Sequence, residues 1–274
     1  MKTNLKLILG LLLISFGTYF IITDVDYSRE CFQFQGNAHE TFNPALSHIN
    51  TISLAIAYID SLYHSKRNIE ERFDSFLYFH TAKQVVKQKF YHGIAEVSWK
   101  ENWISYVLGK MIWKDIGYNV SPDEVIQHCS ALCSQQTMVF TEIMKRKGYD
   151  YRYVYIGKKE IHAGHFCCEI FFQNKWHFTD VNMEPNWSRL KGQPNKSIEE
   201  ITSSNKIKFL YDSSYDDVKA IVLESPDITF SFKNALVGQN MMRFHKITAI
   251  LSWMIPMFLG LFFVMKSVIK RKDV

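Results

Sequence analysis

The 274-residue chain has no block of like charge, no internal repeat and no low-complexity tract, and its six prolines are too scattered to mark a linker. Its 32 basic residues are interleaved with 27 acidic ones, and a net charge of only +5 denies it the basic stripe of a nucleic-acid binder. No cysteine pair has C-x-x-C spacing and no acidic run has the form of a calcium loop, so neither a metal nor another cofactor is expected. Cysteine is scarce, at five residues: Cys31, Cys129, Cys133, Cys167 and Cys168. What is there, 47% hydrophobic and 22% charged, is the composition of an ordinary folded protein of one or two domains.

Two uncharged apolar runs set the expected location. LILGLLLISFGTYFII, from Leu7 to Ile22, follows Lys2 and Lys6 and precedes Asp24 and Asp26. Ser15 and Gly17 could form a signal-cleavage pair, but Tyr19 to Ile22 prolong the apolar stretch beyond it, which favours an uncleaved anchor over residues 5–23. ITAILSWMIPMFLGLFFVM, residues 247–265, is long enough for a transmembrane helix, in which Pro256 and Gly260 are tolerated. Lys266, Lys270, Arg271 and Lys272 then form a basic tail over residues 266–274. Because cytoplasmic flanks collect lysine and arginine, both termini are expected in the cytoplasm, with residues 24–246 forming a domain on the outer face. An odd number of cysteines there leaves at least one thiol free or intermolecular. Cys167 and Cys168 would point to opposite faces of a strand and are not expected to bond each other, and the pairing among Cys31, Cys129, Cys167 and Cys168 stays open.

Within that domain the apolar periodicity predicts a helical front half over residues 24–120, with helices over 44–64, 69–89 and 98–116. The last carries Trp103 and Trp113, read as core packing. From Ser121 the pattern changes. Ser-Pro-Asp-Glu is a helix start, a second helix is expected from Cys133 to Lys147 and Gly148 stops it. Period-two alternation then predicts strands over 151–156, 165–172 and 176–181, with Gln173 and Asn174 as a tight turn. Helix followed by antiparallel meander makes residues 121–246 an α+β core.

If Phe172 faces Lys175 across that turn, His165 faces Asn182, and Asp180 lies diagonally from His165 on the same face of the sheet, close enough for carboxylate and imidazole to meet. A one-residue slip would separate them. A cysteine opening a helix has its thiolate favoured by free N–H groups and the positive helix end, and by a neighbouring imidazolium. Cys133 as nucleophile, His165 as base and Asp180 as the residue holding the ring would then give an acyl-enzyme, resolved by water or an amine. The Cys133 backbone N–H is one oxyanion donor, and Trp103 and Trp113 are further candidates.

The stretch Cys133-Ser-Gln-Gln-Thr137, then Gly148 and Arg152, then His165 to Glu169, then Trp176 to Asp180, resembles the transglutaminase-like cysteine enzyme superfamily over about residues 121–185. The resemblance implies a transglutaminase-like or papain-like core and the same three roles for Cys133, His165 and Asp180. It implies a cysteine peptidase, amidase or acyltransferase whose substrate is a protein, peptide or cell-wall amide. One departure is Ala131, where the family usually has glycine two residues before its cysteine. Two other classes compete with this reading. One is an inactive binding or assembly module of an envelope complex. The other is a zinc domain using His128, Cys129, Cys133, His162, His165, Cys167 and Cys168, whose scattered spacing suits zinc poorly.

Overall fold

The computed structural model describes residues 2–23, 25–27, 31–32, 41–66, 73–158, 163–183, 185, 187, 196–203, 211 and 227–272. In chain order the helices are α1 (Lys2–Ile22), α2 (Ile52–Lys66), α3 (Ser75–Lys89), α4 (Trp99–Met111), α5 (Pro122–Val125), α6 (Cys133–Arg146), α7 (Ile198–Ser203) and α8 (Gln239–Lys272). The strands are β1 (Tyr91–His92), β2 (Ser130–Ala131), β3 (Asp150–Lys158), β4 (Ala163–Phe172), β5 (Lys175–Thr179) and β6 (Asp227–Phe230). The chain is α+β, and its contacts divide it into two compact units.

The first unit comprises Met1–Asp26, Glu96–Asn119 and Gly238–Val274. Helices α1 and α8 are each long and apolar enough to cross a membrane. They pack antiparallel at glycines: a Cβ added at Gly260 would lie 2.6 Å from the Gly10 carbonyl oxygen, and one at Gly17 would lie 2.8 Å from that of Trp253. Only the missing side chains permit so close an approach, the usual device where helices meet in lipid. The sequence places residues 98–116 in the front half of the outer domain as one helix. Instead α4 groups with the terminal helices, because Asn102 and Trp103 hydrogen-bond into α8, and a separate 3-10 turn follows at Lys114–Gly117. Trp113 is not core either, being 56% exposed.

The second unit comprises Tyr27–Ala95 and Val120–Val237. Its sheet has the order β5-β4-β3-β6 and is antiparallel throughout. Gln173 and Asn174 both adopt left-handed backbone (φ 50° and 60°), the turn that matches strand twist in a two-residue hairpin, and it sets Phe172 opposite Lys175 as the alternation requires. The expected helix over 44–64 breaks in two. A 3-10 turn, Pro44–His48, capped by the Asn43 side chain, precedes α2. Residues 69–72 of the next expected helix lie outside the described residues, and α3 begins after Asp74, whose carboxylate accepts from the N–H of Phe76 and Leu77.

Alternate residues of β4 serve two different cores. Phe166, Cys168, Ile170 and Phe172 join Tyr151, Tyr153 and the buried stripe of α6, Val139, Phe140, Ile143 and Met144. Cys167, with Val154, Ile156 and Phe178, faces the other way onto Ile198, Ile201 and Tyr211. The sheet is thus covered on both faces, and His165, two residues before Cys167, belongs to the second.

Candidate active site

Cys133 is the first residue of α6, and α5 ends eight residues before it, so the two are separate helices. The Gln135 side chain fixes the entry: its Oε1 accepts from the N–H groups of Leu132 and Ala95, and its Nε2 donates to the Ala95 carbonyl. Gln136 Nε2 donates to the carbonyl of Ala131. Ala131 itself sits in the short parallel pairing of β1 with β2, its methyl buried and its backbone extended, so alanine fits where the resembling family has glycine. The N-cap residue, Leu132, has no side-chain acceptor, so no side-chain cap occupies the positive end of the helix beside Cys133.

His165 is held by the hairpin. A Cβ at Gly164 would lie 2.1 Å from the Tyr155 ring, so only glycine lets that ring close over the strand just before the histidine. The β4–β5 ladder ends at Cys168–Thr179, which leaves the β4 edge at 165–167 without a strand partner on that side. There α6 approaches: Thr137 Oγ1 donates to the Phe166 carbonyl, and the Cys133 thiol hydrogen-bonds both the Phe166 backbone and the His165 ring. Asp180 follows the last paired residue of β5 rather than lying within the expected strand. Its Oδ1 accepts from the N–H groups of Asn182 and Met183 and so turns the chain out of the sheet. Its Oδ2 lies 2.5 Å from His165 Nε2.

The protonation states follow from these contacts. Burial pushes Asp180 toward the neutral form, but the charge and hydrogen bond of His165 and the donors from Met183 and Tyr211 outweigh it and hold its pKa below the usual carboxylate value. A carboxylate can only accept, so His165 Nε2 carries a hydrogen and donates it, which leaves Nδ1 as the ring's second nitrogen, with Cys133 and Cys167 both beside the ring. Burial would lower the pKa of His165, yet the charge of Asp180 and the hydrogen bonds to Asp180 and Cys133 raise it well above the ordinary imidazole value. Burial alone would likewise raise Cys133; the hydrogen bond and charge of His165 reverse that and lower it. The arrangement favours a thiolate–imidazolium pair backed by a carboxylate.

Two further residues join the group that the sequence reading did not place there. Tyr211, buried on a segment otherwise outside the described residues, donates its hydroxyl hydrogen to Asp180 Oδ2 at 2.5 Å and sets its ring edge-on to His165. Cys167 lies 3.7 Å from the Tyr211 oxygen; that hydroxyl has one hydrogen, already given to Asp180, so the thiol donates. Burial, then the charge of Asp180, pushes the Cys167 pKa up to about 12, which keeps it a thiol. Its place is legible, since the second residue along a strand returns to the same face. Nothing in the sequence marks Tyr211.

The remaining candidates disperse. Cys129 forms a disulfide with Cys31 (Cα–Cα 5.2 Å), Cys168 faces the α6 core, and His128 packs on Tyr27. His162 lies outside the described residues. Trp103 gives its indole N–H to the Ser252 carbonyl, which removes it as an oxyanion donor. Arg152 and Glu169 pair at 2.6 Å, Glu169 also accepting from the Ile198 N–H, while the guanidinium lies between Trp176 and Phe230. This ties α7 to the sheet and makes no contact with Cys133. An open cleft of about 490 Å³ is lined by Phe171, Lys175, Trp176, Glu199 and neighbours and includes none of Cys133, His165 and Asp180. No family model, curated protein or solved structure matches the chain.

Proposed function

We propose that the chain is a membrane-anchored, transglutaminase-like cysteine enzyme that acts on amide or ester bonds through an acyl-enzyme on Cys133. The observation that carries this reading is the linear order of contacts: the Cys133 sulfur on the His165 ring and the Asp180 carboxylate on its far nitrogen, with Cys133 opening a helix. The helix packed on an antiparallel sheet supports the papain-like form of the core.

In this mechanism His165 holds the proton of Cys133, and the thiolate attacks the carbonyl carbon of the substrate. The C–S bond forms, and the oxyanion is met by the backbone N–H groups at the start of α6. The intermediate collapses by breaking the bond to the leaving nitrogen or oxygen, which takes the proton from His165. Water or an amine, giving its own proton to His165, then attacks the thioester and releases acid or a new amide. Asp180 stays ionised and keeps the ring in the useful tautomer. The Cys31–Cys129 disulfide suits an oxidising compartment, which supports an outward-facing domain, cytoplasmic termini and a protein, peptide or cell-wall amide as substrate.

The test is mass spectrometry of the detergent-solubilised full chain after incubation with an amide- or ester-bearing acyl donor. An acyl adduct on Cys133 that fails to form in His165→Ala is the expected result. Modification spread over Cys133, Cys167 and Cys168 alike, or unaffected by that substitution, would sink the reading.

One observation favours a second reading. His165, Cys167 and Asp180 offer ligand atoms within 4.8 Å of one another, as a zinc site would. A metal there would have to displace the direct His165–Asp180 hydrogen bond. Stoichiometric zinc in the purified chain, lost in Cys167→Ser, would turn the argument that way.

A further inference from the structure

Helix α4 was expected in the front half of the outer domain, yet its partners are the two helices long and apolar enough to cross a membrane. Its side chains reach into α8. Asn102, where the helix departs from regular geometry (φ −152°, ψ 77°), donates to the His245 carbonyl and to Thr248 Oγ1 and accepts from Ser105 N–H and Ser252 Oγ. Trp103 donates to the Ser252 carbonyl, and Trp99 stacks on Tyr19 of α1 at 6.0 Å. These contacts fix a depth. Ser252 lies five residues inside the apolar run that starts at Ile247, and Tyr19 three residues before the end of the one that closes at Ile22. At 1.5 Å per residue, α4 therefore crosses the pair about 5 to 8 Å inside its apolar length.

Beyond those contacts α4 presents an apolar edge. Met111 is 79% exposed, Ile112 74% and Trp113 56%, with Val107 exposed one turn earlier, and Lys114 follows at once. On α8, Ile247, Ile250 and Leu251 are exposed apolar residues in the same stretch to which Asn102, Trp103 and Ser105 bond. Four of the six tryptophans, Trp99, Trp103, Trp113 and Trp253, belong to this one unit. Tryptophan beside lysine is the composition of the membrane–water boundary, and an immersion of about 5–10 Å is that of helices lying in it.

We propose that α4 and the turn after it are a third membrane-contacting element, lying in the headgroup–acyl boundary at the level where α1 ends and α8 begins, with Val107, Met111, Ile112 and Trp113 in lipid. The occupant of this surface is a bilayer, because α4 bonds into the apolar run of a helix long and apolar enough to span one. The inference depends on α1 and α8 crossing the membrane and is independent of the chemistry at Cys133.

The experiment reconstitutes the full chain in phosphatidylcholine vesicles and isolates the emission of Trp113 as the difference between wild type and Trp113→Phe. Lipids brominated near the glycerol end of their acyl chains should quench most of that emission, and lipids brominated deeper should quench less. Quenching by aqueous iodide with no response to brominated lipid would overturn the proposal by placing Trp113 in water. Response to neither would overturn it by showing that a protein surface, such as a second copy, covers the edge. Trp253, isolated the same way within α8, separates the two failures: if it too ignores brominated lipid, the membrane-spanning reading is wrong as well.

Discussion

His165 and His177 lie on neighbouring strands of one sheet, both withdrawn from water, and their pKa values move in opposite directions. His177 faces the α6 core. It stacks on Phe172 at 3.7 Å, its Nε2 donates to the Phe172 carbonyl, and its buried Nδ1 has no partner among the described residues. Burial lowers its pKa to about 4, because protonation would add a second, unpaired N–H. His165 suffers the same desolvation on the other face, but there a carboxylate and two sulfurs surround the ring. Burial alone thus lowers a histidine, and a charged partner reverses the sign. The two thiols beside His165 repeat the lesson: Cys133 is lowered, while Cys167, buried toward Asp180 and Tyr211, is raised to about 12.

The comparison breaks most completely if Cys133 is removed. Cys133→Ala should abolish turnover and acyl capture with the fold intact, as read by activity and circular dichroism, since Cys133 belongs to neither apolar core. Asp180→Asn should lower kcat by on the order of 10⁴-fold, the scale lost when a triad carboxylate becomes an amide and the wrong tautomer is favoured. Retained activity would show that the His165–Asp180 pair is structural. His165→Ala should return Cys133 toward an ordinary thiol. Its alkylation rate against pH should then rise with a midpoint above the usual value of about 8.5, where burial leaves the thiol, instead of below it, and an unmoved midpoint would refute the ion pair. Tyr211→Phe removes one of four donors to Asp180, a hydrogen bond to a charged group, and should cost about tenfold in kcat/KM. A change under about twofold, little beside the 1.5–3 kcal/mol of such a bond, would mean the hydroxyl is dispensable.

Much of this contrast could be read from the residues before any coordinates. The period of two, the stop at Gly148 and the Gln173–Asn174 turn fix a register, and the register alone puts His165, Cys167 and Asp180 on one face and Phe166 and Cys168 on the other. Local signals of that kind act over a few residues. The Cys31–Cys129 bridge spans 98 positions and has no such signal. Tyr211 reaches Asp180 from 31 residues away on a chain whose pattern announces nothing. The assignment of α4 fails for a related reason. Its periodicity is that of any amphipathic helix, and only the hydrogen bonds of Asn102 and Trp103 to residues some 143 to 149 positions distant reveal which unit it joins. Whether an apolar side chain faces a protein core or lipid is not written in the spacing.

The smallest effect sharpens the comparison from its inert side. His177 is neutral in the folded protein, whereas in the unfolded chain it takes a proton below about 6.5. Its contribution to stability is therefore fully present above pH 6.5 and is lost as the pH falls toward about 4, below which both states are protonated. The loss amounts to at most about 3 kcal/mol for a shift of that size. His177→Phe keeps a ring to stack on Phe172 and removes the titration. Urea unfolding at neutral pH and again near pH 4.5 should show the variant losing less stability between the two than the wild type does. Activity at neutral pH should stay unchanged, because His177 touches neither Cys133 nor Asp180 and faces the opposite core. If both proteins lose stability in parallel, the acid sensitivity belongs to the His165–Asp180 side of the sheet, and the two histidines are less different than their surroundings imply.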